Sequence, residues 1–246
     1  MDHSQLVTGD RDPTPKKSTT IRLFDEMLGL IESGKWAIGE PIPSERTLME
    51  KFGVSRIALR ESLSMLRALG VLDISHGRKT TVRRMNSELL GRLFPLMLSL
   101  EGEQTLEHIF QLRIGIESES AYLAALNRSE DDLKQLREIG SRFASYEYDT
   151  TDSIQADHEF HALIAKMTGN PLFVFLLNSL GGFVRFAQRE SGKMSPYQRA
   201  RAVAAHQSIL LAIADGNAKQ ARTSMISHLQ DAKSTASQEA ASSEPI

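Results

Sequence analysis

The stretch Ile42-Pro43-Ser44-Glu45-Arg46-Thr47-Leu48-Met49-Glu50-Lys51-Phe52-Gly53-Val54-Ser55-Arg56-Ile57-Ala58-Leu59-Arg60-Glu61-Ser62-Leu63 decides the fold. Ser44 is placed to cap a short helix through Lys51, Gly53 supplies a tight turn, and Ser55 is placed to cap a longer helix ending before Gly70. On a wheel at about 100° per residue, Leu59, Leu63, Met65, Leu66 and Leu69 occupy one side of the second helix. Arg56, Arg60 and Arg67 form a narrow stripe opposite. A short helix, a tight turn and a helix with a guanidinium row are what a helix-turn-helix needs to lay its second helix in a DNA major groove. Arginine suits the task because its fork can bond phosphate oxygens or span guanine O6 and N7. An ordinary helix with a solvated arginine face has the same spacing, so spacing alone leaves both readings open.

Outward from that stretch the pattern stays consistent. Upstream, Ile21, Phe24, Met27 or Leu28, and Ile31 recur at helical spacing between Thr19 and Ser33, and Gly34 is a natural stop. Gly39 to Pro43 is a turn-rich loop. Downstream, Val71 to Ser75 and Thr80 to Arg84 read as two short strands around a charged hairpin tip, His76-Gly77-Arg78-Lys79. Residues 1–17 read as a disordered arm, too polar for a signal peptide. The net charge of −2 hides an asymmetry: residues 16–84 carry 13 Lys+Arg against 8 Asp+Glu, and residues 85–246 carry 15 against 20. Only the basic first third is suited to a polyanion.

Beyond Asn86 the sequence reads as helix throughout. Helices are expected over 87–100, 105–127, 130–148, 151–167, 171–188, 196–214 and 218–233, broken at Gly169-Asn170, Gly192 and Asp215-Gly216-Asn217. Ser129 with Asp132 three residues later matches a capping box. The fold class is thus mainly α: a winged helix-turn-helix over 18–84, an all-α domain over 85–233, and a disordered tail over 234–246. There is no cysteine, which excludes disulfides and thiolate metal sites. No apolar run approaches the ~20 residues of a membrane span. A cytoplasmic protein is expected.

Four residues of the helical domain carry chemistry. Asp157 and His161 are one turn apart, on a face with Ile154, Ile164 and Thr168. His206 shares a face with Ala202, Leu210 and Ile213, and His228 with Ala221 and Met225. Three imidazoles and a carboxylate on apolar faces are costly unless paired. A divalent metal would satisfy all four, and a nitrogen and oxygen donor set suits Zn²⁺, Ni²⁺ or Mn²⁺. Singly, each histidine is more often a core or surface residue than a ligand. Arg113 lies on a face with Ile109, Phe110 and Ile116, so it needs an anion; Glu117, one turn on, is the local candidate.

The residues also resemble a known family. Ile42 to Arg46, Phe52 to Arg56, Leu59 to Leu63, Leu69-Gly70-Val71-Leu72 and His76-Gly77-Arg78 look like the winged helix of the GntR family, over roughly Ile21 to Val82. The resemblance implies DNA contacts from Arg46, Ser55, Arg56 and Arg60, with His76 and Gly77 at the wing tip. Lys79 departs from the second glycine of the common wing ending, and His76-Gly77-Arg78 looks instead like the fatty-acid-responsive branch. Asp157-His158-Glu159-Phe160-His161, Gly169-Asn170, His206, Ile209-Leu210, Ala212-Ile213, Gly216, Ala221, Met225 and His228-Leu229 resemble the FCD domain of FadR-type GntR regulators, over roughly Ser87 to Ala232. That resemblance implies an antiparallel bundle, a metal held by Asp157, His161, His206 and His228, and a small effector whose carboxylate Arg113 holds. Gln207 departs from an arginine often found after the third ligand. Fatty-acid-responsive members lack the metal histidines, so a small organic acid is expected rather than an acyl-CoA.

The expected function is a homodimeric transcription regulator, more a repressor than an activator, on a palindromic operator. Two rivals remain: a metal-dependent hydrolase or lyase at the Asp/His site, and a DNA-binding protein whose metal is purely structural. The first needs a general base beside the metal. Glu159 lies about 160° from both His161 and Asp157 on the wheel, on the far side of the helix.

Overall fold

The computed structural model describes residues 18–74, 79–84, 86–101, 104–146, 150–190 and 195–242. The expected arm over 1–17, the wing-tip residues His76 and Gly77, and residues 243–246 of the expected tail lie outside the described residues. The chain divides into two compact units, residues 1–85 and 86–246.

The first unit holds α1 (Thr19–Glu32), α2 (Glu45–Phe52), α3 (Arg56–Ala68), β1 (Leu72–Asp73) and β2 (Thr81–Val82). Ser18, Ser44 and Ser55 cap the three helices by accepting from the backbone N–H of Ile21, Thr47 and Ala58. Gly53 ends α2 in the left-handed conformation at φ 63°, where a Cβ is strained, and so makes the tight turn before α3. The apolar faces then close on one core of Leu23, Met27, Trp36, Leu48, Leu59, Leu66 and Leu72 with their neighbours. Each fully buried leucine there contributes roughly 1.5–3 kcal/mol relative to exposure.

The strands pair antiparallel, Leu72 with Val82 and Asp73 with Thr81. They are shorter than the sequence pattern predicts. Val71 closes α3 by donating its N–H to Leu66 O at 3.2 Å, so it ends a helix instead of starting a strand. The other edge of β2 is taken by the loop before α2: Gly39 N donates to Val82 O at 2.8 Å and Ile42 N to Thr80 O at 2.9 Å.

The second unit is all-helical among the described residues: α4 (Glu88–Glu101), α5 (Gln104–Asn127), α6 (Glu130–Ser145), α7 (Thr151–Met167), α8 (Pro171–Glu190), α9 (Pro196–Ala214) and α10 (Ala218–Ser242). Helix α5 is central, packing on α4, α7, α8, α9 and α10. The fully buried Ala121, Ala124 and Ala125 and, on α10, Ala221 leave room for backbones to approach. Phe160, Ile164, Ile209, Ile213 and Met225 fill the rest of the core. Capping boxes start α6 (Ser129 with Asp132), α7 (Thr150 with Ser153) and α9 (Ser195 with Gln198). The α9–α10 turn uses Gly216 at φ 70°. Arg128 closes over it, donating to Ala214 O at 3.1 Å and Ala125 O at 2.7 Å, and so satisfies last-turn carbonyls of α9 and α5.

Helix α10 continues to Ser242, past Lys233 where the sequence reading starts a disordered tail. Ala, Gln and Glu are good helix formers, and no breaker occurs before Pro245. Among the described residues, no helix is long and apolar enough to cross a membrane.

Candidate functional site

In the first unit, the turn at Gly53 sets α3 against α2 with Arg56, Arg60 and Arg67 exposed and Leu59, Leu63 and Leu66 buried. Arg60 Nε lies 3.1 Å from Glu45 Oε2, and Arg46 NH1 lies 2.9 Å from Glu50 Oε1. Both are exposed pairs, worth about 0–1 kcal/mol, so a phosphate can displace the carboxylates at little cost. Ser55 spends its hydroxyl oxygen on the cap at Ala58 N, 3.3 Å away. Glu61 accepts from the Thr20 hydroxyl at 2.9 Å, and Glu45 sits in the first turn of α2. The two glutamates therefore act as scaffold and helix-end charges.

In the second unit, Asp157 and His161 on α7, His206 on α9 and His228 on α10 converge, with one donor atom of each inside 4.8 Å of all the others. His161 Nε2 is 3.2 Å from His228 Nε2 and 3.8 Å from Asp157 Oδ1, and His206 Nε2 is 3.3 Å from the same oxygen. Metal bonds of about 2.0–2.1 Å place neighbouring donors roughly 3.0–3.4 Å apart. The three imidazoles are buried and Asp157 is partly buried. His206 has neither nitrogen hydrogen-bonded; its 3.3 Å approach to Asp157 meets ion-pair distance but not hydrogen-bond direction. Buried polar atoms left so are rare and expensive. The donor set and its orphaned nitrogen fit a divalent ion.

The rings are held from outside. Phe160 stacks on His206 at 4.3 Å and 8°, and Phe143 covers it at 4.5 Å. His161 stacks on His228 at 5.2 Å and 18°. Glu117 on α5 places Oε2 at 2.5 Å from His161 Nδ1, a contact without hydrogen-bond alignment, and its Oε1 accepts from Arg113 Nε at 2.7 Å. Arg113 and Glu117 are thus joined as the sequence allowed, but the carboxylate also reaches His161, one of the four converging donors.

Charge states follow from these neighbours. Burial raises the Asp157 carboxyl, but the histidines, His206 first, outweigh it and hold the group well below the usual carboxylate range. Burial raises Glu117 as well, and Arg113 and His161 bring it down to about 2. Burial depresses His206, and it depresses His228 strongly with help from the neighbouring imidazoles. Burial also opposes charge on His161, yet the Glu117 carboxylate prevails and raises it. An ionised Asp157 beside His206 and His228 imidazoles that resist protonation is in the form in which these groups ligate metal, whereas His161 holds its proton more firmly.

Other features lie elsewhere. Glu159 is ion-paired to Arg142 on α6 and accepts from Gln155 at 2.9 Å, so it does not face the four donors as a general base. A groove of about 710 Å³ runs between the end of α6 and the start of α9, lined by Tyr146, Pro196, Arg199, Val203 and Gln207 among others. None of the four donors lines it.

With this geometry in hand, comparison with known proteins gives one answer. Residues 19–82 match the bacterial regulatory proteins of the gntR family, and residues 108–231 match the FCD domain. The chain belongs to the GntR family of bacterial regulatory proteins and carries an FCD domain after its helix-turn-helix. It is similar to the HTH-type transcriptional regulator LutR of Bacillus subtilis, 29% identical over 204 residues, 81% of this chain and 93% of that protein. It is also similar to the HTH-type transcriptional repressor NanR of Cronobacter sakazakii, 32% identical over 169 residues, 67% of this chain and 64% of that protein. The solved structure of Streptococcus agalactiae GntR shares the fold, with a TM-score of 0.67 and 24% identity over 87% of this chain and 99% of that one. The protein is a DNA-binding transcription regulator, not an enzyme.

Proposed function

We propose that this cytoplasmic regulator, of the FadR-type branch, binds a palindromic operator as a homodimer and represses from it. A small organic acid, bound beside a divalent metal in the helical unit, releases it. The observation that most supports the sensing half is the convergence of Asp157, His161, His206 and His228 on one point with His206 left unbonded. These four side chains would hold Zn²⁺, Ni²⁺ or Mn²⁺, and an ion taking five or six ligands would supply a further position for a carboxylate oxygen. Among the described residues Arg113 uses only Nε, on Glu117. Its terminal nitrogens are left to take the acid's carboxylate.

On the DNA side, exposed Arg56 and Arg60 read the major groove, Arg46 and Ser55 contact the backbone, and His76 and Gly77 reach it from the wing. Two copies related by a twofold axis match a palindrome. Repression needs only occupancy of the operator, whereas activation needs a further productive contact. NanR carries the name of a repressor.

The test is reciprocal titration. Metal-loaded protein is titrated onto the DNA upstream of its own gene, with and without sugar acids and dicarboxylates. The acid should weaken DNA binding about 5–150-fold, and DNA should weaken acid binding by the same factor. Metal uptake with no response to any acid would leave a purely structural ion. No DNA binding at low salt would overturn the whole assignment.

A further inference from the structure

We propose that Glu117 is a positioning residue for the metal centre: its carboxylate fixes the His161 ring with Nδ1 toward α5 and Nε2 toward the other donors, and Arg113 anchors that carboxylate. The inference rests on the reading that the centre takes a metal. Glu117 is 2% exposed in the middle of α5, a helix that supplies none of the four donors. Its two oxygens do different things. Oε1 accepts from Arg113 Nε at 2.7 Å, and Oε2 sits 2.5 Å from His161 Nδ1. Across the same ring, His161 Nε2 faces His228 Nε2 at 3.2 Å and Asp157 Oδ1 at 3.8 Å.

The physical logic is that of a tautomer lock. A neutral imidazole carries its proton on one nitrogen only. With a carboxylate against Nδ1 the proton belongs there, and the lone pair on Nε2 is free for an ion. A buried carboxylate is expensive, and a helix interior filled by leucine would avoid that expense. Arg113 alone does not account for Glu117, because that pairing leaves Oε2 over, and Oε2 is the atom against His161. His206 is steered by other means, between Phe143 and Phe160.

The experiment uses the full chain, stripped with a chelator and titrated with Zn²⁺ in competition with a chromophoric chelator. Wild type should take one ion per chain. Glu117→Ala should bind it about 10–100-fold more weakly, and Glu117→Gln, which keeps an acceptor but not the charge, should recover part of the loss. Removing Glu117 alone strands a buried arginine and can compromise folding. Arg113→Leu/Glu117→Leu removes both charges, and its metal-free Tm should match or exceed that of wild type. It should still bind Zn²⁺ about 10–100-fold more weakly, a split that a merely structural role does not produce. Wild-type affinity in the folded double variant overturns this inference and leaves the metal centre standing. Failure of the wild type to bind Zn²⁺ overturns both.

Discussion

The two units handle polar groups in opposite ways. In the first, the buried set among the described residues is apolar except for Ser62, whose hydroxyl bonds Thr20 O and Ala58 O, and every arginine expected to meet DNA lies on the surface. In the second, Arg113, Glu117, His161, His206 and His228 are all inside, and some of their atoms have no hydrogen-bond partner. A surface that binds a polyanion can be built on an undisturbed core, because its ligand comes to the outside. A site that surrounds a small ligand must put its chemistry where burial is costly, and offset that by packing elsewhere.

The largest effect that would break this contrast is at the four converging donors of the second unit. His206→Ala with His228→Ala should abolish bound metal, read by elemental analysis after loading with Zn²⁺, Ni²⁺ or Mn²⁺; full occupancy in this variant would reject the ligand set. Trp36, the chain's one tryptophan, lies in the core of the first unit, so its fluorescence follows that unit. Its transition should not move in the double-histidine variant. Leu66→Ala should destabilise the first unit by about 2–5 kcal/mol in the same Trp36 signal while Zn²⁺ uptake stays unchanged. Next, Arg56→Ala or Arg60→Ala should weaken operator binding by about 1–3 kcal/mol if either reads a base bidentately. Either should also leave the Trp36 transition in place, and a mobility shift with no loss for both would end the recognition-helix assignment. Smallest, Glu45→Gln should alter stability by within about 0.5 kcal/mol. Because it frees Arg60, operator affinity should hold or rise; a fall would show that the Glu45–Arg60 pair orients the arginine.

Much of the architecture was readable from local rules. Ser44, Gly53 and Ser55 marked the turn, and Ser129 with Asp132 marked the start of α6, because caps are chemistry between residues close in sequence. The four metal candidates were readable because each repeats an apolar helical period. What stayed hidden depends on partners far along the chain. Glu117 looked like a local mate for Arg113, and its reach to His161, 44 positions away, exists only once α5 and α7 pack. A buried Arg–Glu pair one turn apart with one carboxylate oxygen to spare was the available signal. The phenyl rings around His206 gave none, since no local pattern places Phe143 or Phe160 beside a residue on α9. The strand ends were overestimated because β-propensity at Val71 yields to its bond with Leu66 O.

The convergence of α7, α9 and α10 on four donors has a mechanical consequence in a chain with no cysteine. An ion bridging Asp157, His161, His206 and His228 cross-links segments far apart in the chain, much as a disulfide closes loops in a secreted protein. Such a fastening would be reversible and would depend on metal supply, so the rigidity of the helical unit would follow the available ion while the first unit keeps its own.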